Sequence, residues 1–460
     1  MKNLKIKDIL KVTNGELVVG NEEYECQSYS KDTRTIEKED CYIGIKGANF
    51  DGNLFWEKAL ENGASTVIVE NVDFEKENIE KWENKNIIKV ENSLDALYKI
   101  ASLKRDLNKI PVVAITGSVG KTSTKDMIYA VVSTQYKTLK TLGNYNNHIG
   151  LPLTILRHQN EDVMVLEMGM NHLGEIHHLT HIAKPDIACI TNVGTAHIGE
   201  LGSRENILKA KMEIVDGISK DGTLIINDNN DLLHTVACDY CDVVRVGYND
   251  DCQLKAHHLQ LLLEESYFDL DYQGKTYHVH VPVSGEHFVV NALIAIAVGL
   301  SLDIPIERCI AGIDRFELTK NRMDIIELIQ GMKVIDGTYN ANLDSMKSSL
   351  DVLAQYPERK IAVLADMLEL GEYEQAFHEE VGDYVAQKHI DVLLTVGQAS
   401  RHIMLKAKEK GIEAYHFENN QQLKQKLEQM IQKNDVILVK GSHGMHLHEI
   451  VEYLKEIYKK

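Results

Sequence analysis

The sequence predicts an α/β protein of three domains. Its 460 residues are about three domains' worth at roughly 150 residues each. A hydrophobic share of 44% and a charged share of 26% are those of a chain with packed cores rather than a disordered one. Short β-type runs alternate with helical stretches along most of the length, which is the pattern of mostly parallel sheets.

The elements follow in order. Residues 1–109 mix helices with strand-like runs such as Cys41–Ile45 and Thr66–Val69. A charged helix near Leu94–Leu107 stops at Asn108-Lys109-Ile110-Pro111, where a first domain boundary is expected. The second segment, 110–317, opens with the apolar strand Val112–Thr116, a glycine loop and a helix. Strand-like runs recur there at Val163–Met168 and Ile187–Thr191. Phe288–Leu302 is the most apolar stretch; it is too short to span a bilayer and reads as a buried helix. A second boundary falls near Phe316–Arg322. The last segment, 318–460, alternates strand Val334–Ile335, helix Ser345–Leu353 and strands Ile361–Leu364, Val392–Val396 and Val436–Val439. That is the pattern of a small doubly wound, Rossmann-like domain.

Charge narrows the function. With 69 acidic and 50 basic residues the net charge is −19, which argues against unspecific nucleic-acid binding and against adhesion to an anionic membrane. The opening Met1-Lys2-Asn3-Leu4-Lys5 lacks the apolar core of a signal peptide. The seven cysteines are scattered, so reduced thiols in a cytoplasm are expected.

The strongest chemical signal is Thr116-Gly117-Ser118-Val119-Gly120-Lys121-Thr122-Ser123, between a buried strand and a helix. The glycines let backbone N–H groups face phosphate oxygens, and the helix N-terminus adds positive partial charge. Lys121 can bridge the β- and γ-phosphates of ATP, and the Thr122 hydroxyl can bind Mg2+. Ile115 occupies the place of the first glycine of the longer phosphate-loop pattern. Glu167 sits where the strand Val163–Leu166 ends, at the rim where open α/β sheets bind ligands, and is a candidate Mg2+ ligand. His197, just past Ile187–Thr191, is a candidate second ligand at that rim. Lys211 reads by composition as a solvated lysine. The run His172, His177, His178 and His181 reads as ordinary polar surface. Cys238-Asp239-Tyr240-Cys241, with Cys252 and His257, makes a zinc site conceivable, but the second ligand pair lacks tight spacing.

Beside this reading stands a resemblance. Thr116–Ser123 resembles the short phosphate loop of the Mur ligases, ATP-dependent amide-forming enzymes of peptidoglycan synthesis, and the likeness runs along essentially the whole chain. Gly143-Asn144-Tyr145-Asn146-Asn147-His148-Ile149-Gly150-Leu151-Pro152, Glu167-Met168-Gly169-Met170 and Asn192–His197 are similar to segments of that family. Asp336-Gly337-Thr338-Tyr339-Asn340-Ala341-Asn342, with Asp366–Glu372 and Lys440-Gly441-Ser442, resembles the branch that adds D-alanyl-D-alanine to UDP-N-acetylmuramoyl-tripeptide.

The resemblance implies the roles. An N-terminal α/β domain would bind the UDP-sugar through Thr33, Arg34, Lys46, Gly47 and Asp51. Gly117, Ser118, Val119, Gly120, Lys121, Thr122 and Ser123 would hold ATP, with His287 and Asn291 near the adenine and Arg322 and Asp336 closing from the third domain. Thr122 and Glu167 would bind one Mg2+; His197 and Lys211, the latter as a carbamate, would bind a second. Asn146, Asn147, Tyr339, Asn340 and Asn342 would face substrate. The implied reaction passes through an acyl phosphate, with Lys121, Glu167, His197 and Lys211 as the catalytic set. A monomer that engages no nucleic acid and does not insert into a membrane is expected. The chain departs from the family at His148, Phe288, Leu343, Ala365, His443 and His448. Two alternatives stand beside the main reading: a related ligase with another amine substrate, and a weakly catalytic nucleotide-binding paralogue.

Overall fold

The computed structural model describes residues 3–47, 49–70, 79–318 and 323–459. Its strands fall into three large sheets that follow one another along the chain, plus a two-stranded ribbon of Leu4–Lys5 with Glu25–Cys26. The first sheet has the order Glu16–Val19, Asn86–Lys89, Thr66–Val69, Cys41–Ile43, Tyr29–Ser30, antiparallel only at the Glu16–Val19 edge. Thr66–Val69 is buried at every residue, as a continuous β-branched run in a parallel sheet should be. The helix Ser93–Leu107 starts where the Asn92 side chain accepts from Asp95 N–H at 2.8 Å. It packs on the helices Gly150–Leu156 and Glu175–Ala183 of the next segment. Arg105 fastens the join, donating from Nε to the Ala183 carbonyl at 2.9 Å.

The central sheet has nine strands. From one edge they run Thr138–Lys140, Val163–Glu167, Val112–Thr116, Ile187–Ile190, Thr223–Asn227, Asp242–Gly247, Leu254–Leu261, Ser266–Tyr272 and Lys275–Val281. Pairing is parallel as far as Leu254–Leu261, in line with expectation, and then turns into an antiparallel meander. That meander is the antiparallel part of a sheet expected to be mostly parallel. Its signal is a period of two, with Phe268 and Leu270 buried and Tyr267, Asp269 and Asp271 pointing outward, so it lacks the apolar runs that mark buried parallel strands. The helix Glu286–Ser301 is buried from Phe288 to Gly299 and packs along the helix Lys121–Val132, as a helix apolar on all sides must. Among the described residues no helix is long and apolar enough to cross a membrane.

The third sheet has the order Asp324–Glu327, Lys333–Gly337, Val436–Lys440, Lys360–Ala365, Val392–Val396, Glu413–Phe417, parallel except at its first strand. Helix Leu343–Ala354 opens on a reciprocal cap, with Ser345 N–H donating to Asn342 Oδ1 at 2.9 Å and Asn342 N–H to Ser345 Oγ at 3.0 Å. The structure pairs Cys238 with Cys241 as a disulfide, where reduced thiols were expected. Cys252 instead faces Asp228, so these cysteines do not gather into a zinc site.

Candidate active site

Three parallel strands, Val112–Thr116, Val163–Glu167 and Ile187–Ile190, end side by side, which brings the loops that follow them to one rim. The glycine loop after Thr116 is braced from the neighbouring loop. Asn192 Oδ1 accepts from Val119 N–H at 2.8 Å, Thr191 Oγ1 donates to the Val119 carbonyl at 2.6 Å, and Gly194 N–H donates to Ser118 Oγ at 3.0 Å. Gly120 caps the helix Lys121–Val132 at φ +83, a left-handed conformation that a side chain would strain. The Lys121 ammonium folds back onto the Gly117 carbonyl at 2.7 Å, inside the loop it serves.

Glu167 is only 2% exposed. Its two oxygens accept from neutral groups, Thr122 Oγ1 at 2.9 Å and Asn146 Nδ2 at 2.8 Å. A buried carboxylate balanced by neutral donors, with a hydroxyl on the same side, is the hard oxygen donor set that a divalent cation such as Mg2+ takes. Lys211 is 1% exposed, and burial together with the nearby Lys121 charge holds its amine far below the ordinary lysine range. That shift favours the uncharged amine, the form that adds CO2, so the residue fits a carbamate. His197 begins the short helix Ile198–Leu201 at φ +63. Burial, Lys121 and Lys211 lower it to about 4, so the ring is neutral at pH 7 and able to coordinate. Its Nδ1 lies 2.9 Å from Glu369 Oε2 of the third segment.

The third segment closes over the rim. Asp344 accepts from both Thr195 N–H at 2.8 Å and Thr195 Oγ1 at 3.0 Å. Lys440 Nζ donates to the Asn340 carbonyl at 2.9 Å, and Asp336 Oδ1 holds the turn by accepting from Thr338 N–H at 3.0 Å. Between the two segments lies a cavity of about 830 Å³. Ser118–Ser123, Asn146, Asn147, Glu167, His197, His287, Asn291, Tyr339, Asn340 and Asn342 all line it. Asn291 Nδ2 is buried without a hydrogen-bond partner, and its Oδ1 would lie 3.3 Å from a Cβ at Gly120: an unused polar group beside the phosphate loop. Burial lowers His287 to about 4.

The remaining candidates lie elsewhere. Lys211 does not line the cavity but interacts electrostatically with Lys121 and His197, which do, and Asp336 lines an adjoining cavity of about 700 Å³ with Phe288 and Met323. Arg322 lies outside the described residues. Thr33, Arg34, Lys46, Gly47 and Asp51 form a separate group on the first segment. Arg34 is held by Asp32 at 2.6 Å, the backbones of Lys46 and Asp51 pair as an isolated antiparallel β-bridge, and Gly47 N–H donates to the Phe50 carbonyl at 2.9 Å. Phe50 and Leu54 stand 65% and 76% exposed in the same loop. Sequence reasoning did not single out Thr191 and Asn192, which brace the loop, or Asp344, which joins the segments. Asp344 lies in the first turn after a capping Asn, the one local hint it offers.

Comparison with known proteins places this geometry among relatives. Residues 27–105 match the Mur ligase family catalytic domain, 115–299 the Mur ligase middle domain, and 321–443 the Mur ligase glutamate ligase domain. The chain is 37% identical to the UDP-N-acetylmuramoyl-tripeptide--D-alanyl-D-alanine ligase of Bacillus subtilis, over 98% of each chain. It is 32% identical to the Escherichia coli ligase of the same name, over 99% of each. Among solved structures, MurF from Acinetobacter baumannii superposes with a TM-score of 0.90 at 29% identity, covering 99% of each chain. MurF from Thermotoga maritima in complex with ADP superposes with a TM-score of 0.82 at 27% identity, over 94% of this chain and 97% of that one.

Proposed function

The chain belongs to the Mur ligase family, and on that premise we propose that it joins D-alanyl-D-alanine to UDP-N-acetylmuramoyl-tripeptide at the expense of ATP. The observation that carries this reading is the shared cavity. A phosphate loop, the Glu167 rim and the Tyr339–Asn342 turn of the third segment face one another across it. We take 1–109 as the UDP-sugar domain, 110–317 as the ATP domain and 318–460 as the domain that receives the dipeptide.

In this reading Lys121 and the backbone N–H groups of the loop grip the ATP phosphates. Asn291 and His287 border the nucleoside. Thr122 and Glu167, with His197 and a carbamylated Lys211, would hold two Mg2+ ions, whose chemistry is to neutralise phosphate charge. Asn146 fixes the Glu167 carboxylate through its amide, and Asn147, Tyr339, Asn340 and Asn342 face the peptide ends. The terminal carboxylate of the tripeptide attacks the γ-phosphorus, ADP leaves, and an acyl phosphate forms. The dipeptide amine then attacks the acyl carbon, loses a proton and expels phosphate. The Asp344–Thr195 and His197–Glu369 contacts hold the third domain down on the cavity, so that water is kept from the acyl phosphate. Arg34, Lys46 and the exposed Phe50 would take the UDP-sugar at a distance from the reacting carboxylate. We take the chain to work as a monomer in the cytoplasm, the compartment that holds ATP and the nucleotide sugar.

The test is phosphate release from ATP-Mg2+ with UDP-N-acetylmuramoyl-tripeptide, with and without D-alanyl-D-alanine, and the product mass. Release that requires the dipeptide, together with the pentapeptide mass, is the expected result. Release with another amine and none with the dipeptide would overturn it.

A further inference from the structure

The antiparallel meander at the far edge of the central sheet presents an outward face rich in imidazole. Asp269 lies opposite His257 on one neighbouring strand and opposite His278 on the other, so the three form a row across the sheet. A bulge follows His257, where the register shifts before Gln260 and His258 takes φ +50. In a regular strand, successive side chains point to opposite faces. The bulge turns His258 back onto the face of His257, and the two rings meet edge to face at 4.6 Å between centroids.

Three donor atoms converge there. His257 Nδ1 is 3.3 Å from His258 Nδ1, which is 3.0 Å from Asp269 Oδ2. No single proton aligns with all three atoms, whereas one cation can. A tetrahedral zinc ion with bonds of about 2.0–2.1 Å sets its donors about 3.3 Å apart, close to both spacings. The surroundings have the form that metal sites use to orient their ligands. Asp271 Oδ2 stands 3.1 Å from the other nitrogen of His257, within ion-pair reach though not aligned as a hydrogen bond. His278 Nδ1 holds the second oxygen of Asp269 at 2.5 Å. None of these residues lines the catalytic cavity. We propose that His257, His258 and Asp269 bind a divalent transition-metal ion of the zinc class, with His278 and Asp271 as positioning residues and water in the fourth place. Two imidazoles and one carboxylate favour such an ion over Mg2+. Binding displaces the proton shared by His258 and Asp269 and clamps the bulge of one strand to the next.

The experiment titrates the full chain with Zn2+ against a chromophoric chelator in excess Mg2+, and repeats the titration with Co2+, reading its visible spectrum. The expected result is one equivalent of Zn2+ that His197→Gln retains and that His257→Gln/His258→Gln loses, with an intense tetrahedral-type Co2+ spectrum. His278→Gln should weaken that equivalent about 10- to 100-fold. Asp269→Asn is the second variant should the double substitution disturb folding by circular dichroism, and it too should lose the equivalent. Unchanged stoichiometry and affinity in the folded His257 and Asp269 variants, or a Co2+ spectrum unaffected by them, would overturn the proposal.

Discussion

Lys121 has one neighbour that makes its charge matter twice. It sits in the phosphate loop, and its ammonium adds to the burial that lowers the Lys211 amine from the ordinary lysine range. Lys121→Ala should therefore cut turnover by ~100-fold or more, while binding of UDP-N-acetylmuramoyl-tripeptide, measured by calorimetry, stays nearly unchanged. Arg34→Ala should do the reverse, raising KM for the nucleotide sugar and leaving KM for ATP alone. His287 bears on stability. Burial holds the folded ring at about 4, below its ordinary 6.5. Between those values the unfolded chain takes up a proton that the folded chain refuses, so stability is full above about pH 6.5 and falls as pH drops toward 4, by at most roughly 3 to 4 kcal/mol. Urea midpoints of the ligand-free protein at pH 7 and pH 5 should separate less in His287→Gln than in the parent. At this scale legibility followed local context. Lys121 and Thr122 could be read because a strand, a loop and a helix flank them in sequence. Asp344 and Asn192 could not, because each acts on a backbone distant in the chain.

Elements were legible in proportion to how completely they are buried. The strand Val112–Thr116 and the helix Glu286–Ser301 are apolar along their lengths and stand within two residues of their expected limits. The meander from Leu254 to Val281 was not legible, because half of its residues face solvent and its imidazoles and carboxylates imitate a loop. The helix Leu343–Ala354 depends on its first turn, where the Asn342–Ser345 cap orders the residues facing the cavity. Asn342→Ala should cost about 1 kcal/mol of stability. Thermal unfolding would register that loss, and a larger loss of kcat would reflect displacement of the turn from substrate.

Across the whole molecule, the central and third segments share one apolar core cluster and meet at polar contacts and at a close backbone approach. A Cβ on Gly199 would come within 2.6 Å of the Glu369 carbonyl oxygen and 2.7 Å of Gly371 N. Gly199→Ala should wedge the segments apart, raising the radius of gyration in X-ray scattering and lowering kcat while ADP still binds. An unchanged radius and full activity would show that the approach is dispensable. The same arrangement bears on inhibitor screening. Because the cavity takes its walls from two separate sheets, a compound that spans it acts as an internal cross-link and raises the melting temperature in step with its occupancy. A compound that touches one wall alone would leave the halves free to part. Ranking a library by thermal shift would therefore favour bridging chemotypes over those that merely crowd the phosphate loop.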